Sequence, residues 1–120
     1  MAFKPDKRLS KLYQKYNEKY FDGTLPECHV GWSEKLKETD TVGLSLVMQD
    51  GDIKIHGIAL DEDIKHFLIP VCLKGVQVFY KTVMLHEMVH IKLYPYMHHG
   101  KRFYEEITRL VLRGAYVDLL

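Results

Sequence analysis

Between Asp6 and Phe21 the apolar and aromatic side chains Leu9, Leu12, Tyr13, Tyr16 and Tyr20 recur at spacings of three and four, with Lys7, Arg8, Lys11, Lys15, Glu18 and Lys19 between them. That period predicts an amphipathic helix with an aromatic inner face. It should stop at Phe21-Asp22-Gly23-Thr24-Leu25-Pro26, where Gly23 accepts a positive φ and Pro26 cannot continue a helix. The period then changes. Cys28 to Trp32 reads as a short extended run, and β-branched residues alternate with polar or small ones over Thr41 to Met48 and Asp52 to Leu60. Asp50-Gly51 between the last two predicts a hairpin with a type I′ turn. The expected product is a small antiparallel sheet of about three strands, closed by Asp61-Glu62-Asp63 as a solvated turn or helix cap. Ile64 to Gly75 carries no clear period and is left unassigned. Val76 to Leu93 is apolar around almost the whole helical wheel, which places this helix in the interior, and Pro95 ends it. A last helix is expected from Lys101 to Arg113 with Phe103, Ile107, Leu110 and Val111 inward.

These elements make an α+β fold: an N-terminal helix, a small sheet, a central helix and a C-terminal helix. A chain of 120 residues with 47% hydrophobic and 28% charged residues has the size and composition of one globular domain over 1–120, expected to be a monomer. Seventeen basic against sixteen acidic residues leave a net charge of +1, which excludes the strongly basic footprint of a dedicated nucleic-acid binder. Lys101, Arg102, Arg109 and Arg113 remain candidates for a local basic strip. Cys28 and Cys72 stand far apart, the N-terminus has no apolar leader and no run is long enough to span a bilayer. A cytoplasmic protein without membrane attachment is expected.

The chemistry lies in the interior helix, in His86-Glu87-Met88-Val89-His90. His86 and His90 are one turn apart on one face and can offer two imidazole nitrogens to one tetrahedral ion. Glu87 projects about 100° around the helix from His86, a poor position for a ligand but a good one for a general base acting on an activated water. Chance alone produces such a match in roughly three of a hundred chains of this composition, so context matters. Here the three polar residues fall on an otherwise apolar helix, where burying them without partners would be costly. A catalytic zinc takes a third protein ligand. His99, just before Gly100 at the entrance to the last helix, is the first candidate, with His98, Glu105 and Glu106 as alternatives. Tyr94 and Tyr96 follow the helix closely enough to donate to an oxyanion, although ring packing is the simpler use of both.

Leu12-Tyr13 to Tyr16-Asn17, Tyr20-Phe21-Asp22-Gly23-Thr24-Leu25-Pro26, a strand with Trp32, Leu85-His86-Glu87-Met88-Val89-His90 and His99-Gly100-Lys101-Arg102-Phe103 occur in this order, and through them the chain resembles the SprT-like zinc metalloproteases. The resemblance implies a minimal zincin-like core with His86, His90 and His99 on Zn2+, Glu87 as the catalytic acid/base, and a protein or peptide substrate, including proteins associated with DNA. The rival from another class is a non-catalytic zinc-stabilised module that binds a protein or nucleic-acid partner. The same ligands would also accept cobalt, nickel or manganese.

Overall fold

A computed structural model describes residues 3–34, 36, 42–64, 68–70, 76–96 and 99–116. Helix α1 (Lys7–Tyr20) starts because Asp6 Oδ1 accepts from the amides of Arg8 and Leu9, at 2.7 and 3.1 Å. Asp6 Oδ2 takes the Trp32 indole N–H at 3.0 Å, so one carboxylate caps the helix and ties it to the sheet. Leu9, Tyr13, Tyr16 and Tyr20 form the buried stripe that their spacing predicts. At the C-terminal end Asp22 and Gly23 both take positive φ, 55° and 69°. Asn17 holds this turn from within the helix: its side chain bridges the Leu25 N–H at 3.0 Å and the Leu25 carbonyl at 3.3 Å. Asn17 and the Phe21-to-Pro26 segment are thus one structural unit.

Strands β1 (Phe3–Pro5), β2 (Cys28–Ser33), β3 (Gly43–Asp50) and β4 (Ile53–Asp61) make a four-stranded sheet in the order β1-β2-β4-β3. This corrects the expected three-stranded antiparallel sheet in two ways. Pro5 hides β1 in the sequence, since it removes a donor that only an edge position can spare. In addition, the hairpin returns β4 between β2 and β3, so β4 runs parallel to β2, with Cys28 opposite His56 and Ser33 opposite Asp61. The β3–β4 pair is antiparallel from Gly43↔Leu60 to Asp50↔Ile53. Its two-residue loop is Gly51-Asp52, with positive φ at Gly51 alone (62°), which is the pattern of a II′ turn rather than the expected I′. Asp61 Oδ1 accepts from the Asp63 N–H at 3.0 Å and caps the short helical turn Glu62–Ile64, as the cap reading of the acidic run requires.

Strands β5 (Leu68–Pro70) and β6 (Val76–Val78) pair as a separate ribbon, so helix α2 begins at Phe79, not Val76, and ends at Leu93. Two valines flanking Gln77 suit an extended backbone, and an apolar run this short does not distinguish strand from helix. His66 and Phe67, in the unassigned stretch, lie outside the described residues. Helix α3 spans Lys101–Leu112. Phe103 and Leu110 point inward as expected, but Val111 is 53% exposed and Glu106 is buried in its stead. Val83, Met84, Leu85, Met88, Val89 and Ile91 of α2 pack at the centre against α1, β2, β4 and α3 in one hydrophobic cluster. Among the described residues no helix is long and apolar enough to cross a membrane.

Candidate metal centre

Helix α2 supplies His86 and His90, and the connection after it brings His99 back over them. The Nε2 atoms of His90 and His99 are 3.0 Å apart, and those of His99 and His86 are 3.2 Å apart. Two neutral imidazoles share one proton in such a contact, and three converging on one point leave lone pairs facing each other. A tetrahedral ion with Zn–N bonds of about 2.0–2.1 Å sets its ligand nitrogens about 3.3 Å apart, close to these two separations, and all three ligand atoms lie within 4.8 Å of one another. Among the described residues this is the set of side chains grouped closely enough to hold a metal. Burial, with the neighbouring histidines, lowers the pKa of both α2 imidazoles, His90 to about 4 and His86 in the same direction. Both are therefore neutral at pH 7, the form that binds a metal.

Phe103, one turn into α3, forms the wall behind all three rings. Its centroid lies 4.9 Å from His86, 4.9 Å from His90 and 4.5 Å from His99. The sequence shows Phe103 as a core residue, but its contact with the imidazoles depends on how α3 crosses α2. Glu105 and Glu106, the alternative third ligands, are turned elsewhere. Glu105 is exposed and pairs with Lys101 at 3.8 Å, whereas Glu106 is buried between Lys92 and Arg109. His98 lies outside the described residues.

Glu87 is 6% exposed. Ser45, on β3, donates to its Oε1 at 2.8 Å. Burial raises the Glu87 pKa, and the Ser45 hydrogen bond opposes that rise. Gly43 and Ser45 face α2 because side chains alternate along β3, and a Cβ at Gly43 would stand 2.5 Å from Val83 Cγ1. Neither residue stands out in the sequence, since nothing local reveals which strand lies against the histidine helix. Gly43, Ser45, Glu87 and the three histidines line one pocket of about 320 Å³. An open groove of about 420 Å³ adjoins it along α3, with Phe103, Ile107 and Tyr116 among its apolar walls.

The other sequence candidates find structural uses. Tyr94 stands edge-on to His56 at 6.0 Å and beneath Lys54, and Tyr96 lies under the Arg102 guanidinium at 4.1 Å. Among the basic candidates, Arg109 binds Glu106 and the Tyr20 carbonyl and Arg113 binds the Lys19 carbonyl and Asp22, whereas Lys101 and Arg102 are exposed. His29 is exposed on β2, and His56 has its pKa lowered by burial and by Lys54.

The α+β frame thus presents three histidines, from a helix and its following loop, that could hold a metal ion beside a buried glutamate. Residues 9–115 match the model of the SprT-like family, and the chain belongs to that family. Searches of the curated proteins and of the solved structures give no match.

Proposed function

We propose that the chain is a zinc metalloendopeptidase that hydrolyses peptide bonds with Glu87 as general base. The observation that carries this reading is the juxtaposition of three imidazole Nε2 atoms with a buried glutamate in one pocket beside the sheet edge. His86, His90 and His99 would hold the ion through Nε2. When bound, zinc supplies a Lewis acid that polarises the scissile carbonyl and makes water acidic enough to attack near neutral pH. Glu87 takes a proton from that water and returns it to the leaving amine nitrogen. Burial raises the Glu87 pKa, which makes its carboxylate the stronger base in the first of these steps. Among the described residues strand β3 is a sheet edge, and its outward main-chain groups can align an extended peptide by strand addition. The groove beside α3 suits an apolar substrate side chain.

A module in which zinc only staples the fold has no use for a buried carboxylate opening on the same pocket, and this favours the enzyme. The family's association with DNA makes DNA-bound proteins a candidate substrate. The test incubates the zinc-loaded protein with an unfolded protein substrate, with and without single-stranded DNA, and identifies new peptide termini by mass spectrometry. Cleavage that a chelator stops supports the proposal. A fully zinc-loaded protein that leaves every substrate intact under both conditions contradicts it.

A further inference from the structure

We infer that Ser45 is a positioning residue for Glu87: it holds one carboxylate oxygen so that the other is presented to the pocket, an inference that rests on the metallopeptidase reading above. The Ser45 hydroxyl lies 2.8 Å from Glu87 Oε1 and 3.0 Å from the Glu87 main-chain oxygen. It therefore straddles the side chain and the backbone of one residue and sets where the carboxylate sits relative to its own helix. Glu87 Oε2 has no hydrogen-bond partner among the described residues and is left to take a proton from water. Gly43, two residues earlier on the same face of β3, completes the arrangement. A Cβ there would be 3.0 Å from Oε2, so the bare backbone is what lets β3 pass this close to the carboxylate.

The consequence reaches beyond one hydrogen bond. Glutamate has three side-chain torsions, and an untethered carboxylate spreads over several rotamers. Misplacing a reacting group by about 1 Å can cost ~100-fold in rate. Ser45 and Gly43 belong to the strand whose free edge would align the substrate, so the same element registers the peptide and aims the base. Ser45 makes no hydrogen bond to any of the three histidines, and its role is thereby separable from metal binding.

Threonine and valine at position 45 test this, since they match in volume and suit a strand, and only threonine retains the hydroxyl. Ser45→Thr should retain kcat within about threefold, whereas Ser45→Val should lose ~10- to 100-fold in kcat with KM changed less than about threefold. Zinc affinity, measured without substrate by chelator competition, should be equal in the wild type and both variants within about threefold. Equal kcat in the threonine and valine variants overturns the inference. Loss of zinc from Ser45→Val in proportion to its loss of rate also overturns it, because Ser45 would then be a scaffold residue. Wild-type turnover that Glu87→Gln abolishes and Ser45→Val preserves overturns this inference alone. No turnover in any of these proteins overturns the metallopeptidase reading, and this inference with it.

Discussion

Replacing Glu106 with glutamine removes a charge and keeps the shape, at a point where the C-terminal ends of α1 and α2 meet the middle of α3. Glu106 is 6% exposed, accepts from Lys92 of α2 and from Arg109 one turn along α3, and Arg109 goes on to donate to the Tyr20 carbonyl at the end of α1 at 2.7 Å. Breaking a fully buried ion pair costs about 3–5 kcal/mol. Here the Lys92 and Arg109 side chains are 36% and 32% exposed, so water recovers part of their solvation. A loss of about 2 kcal/mol at pH 7 follows, with glutamine keeping one weaker hydrogen bond. At an unfolding entropy of about 2.1 cal/mol/K per residue, that is a fall of about 8 °C in Tm.

The pH dependence is as informative as the size. Burial by itself would raise the Glu106 pKa, but hydrogen bonds from Arg109 and Lys92 outweigh it and hold the group below its ordinary 4.5. A carboxylate shifted down by folding contributes stability that is complete above its unfolded value and is lost as pH falls through its folded value. The gap between wild type and Glu106→Gln should therefore be constant from pH 7 to about 5.5 and close below about 4.5. Urea denaturation of the two proteins side by side, at equal free zinc and several pH values, measures it. The same variant should keep its zinc, since Glu106 is a clasp and not a ligand. A gap under about 0.5 kcal/mol at pH 7, or one of undiminished size at low pH, would refute the clasp.

Gly43→Ala drives a methyl group into Val83 and towards Glu87 Oε2, and should cost about 1–3 kcal/mol by overpacking while lowering kcat; thermal unfolding together with peptide turnover checks both. His99→Ala should weaken zinc binding by at least ~100-fold and leave the fold cooperative, because His99 is exposed and contributes little to the core, whereas His29→Ala should leave zinc binding unchanged. Chelator competition on the two variants distinguishes them.

The helices and the β3–β4 hairpin were legible because their signals are local: the tyrosine stripe of α1, the all-round apolarity of α2 and Gly51 between two alternating runs each act within a few residues of themselves. The pair His86 and His90, one turn apart, was legible for the same reason. Sheet order was not, since insertion of β4 beside β2 depends on pairing between Cys28 and His56 across the intervening hairpin. Pro5 concealed β1, and Val76–Val78 needed its partner β5 to reveal a strand. In α3 the 3.6 period placed Val111 inside. The fold instead admits Glu106, because Lys92 and Arg109 compensate its charge there. Ser45 and Gly43 escaped notice for the same long-range reason: only the packing of β3 on α2 brings them to Glu87.

On the proposed function, Glu87 performs the chemistry and does not help to hold the ion. Zinc content and peptide hydrolysis, measured on one preparation of Glu87→Gln, test it most directly. Glu87→Gln should carry one zinc per chain, as in the wild type, and turn over at least ~100-fold more slowly. Zinc-loaded Glu87→Gln that still cleaves peptide near the wild-type rate would contradict it.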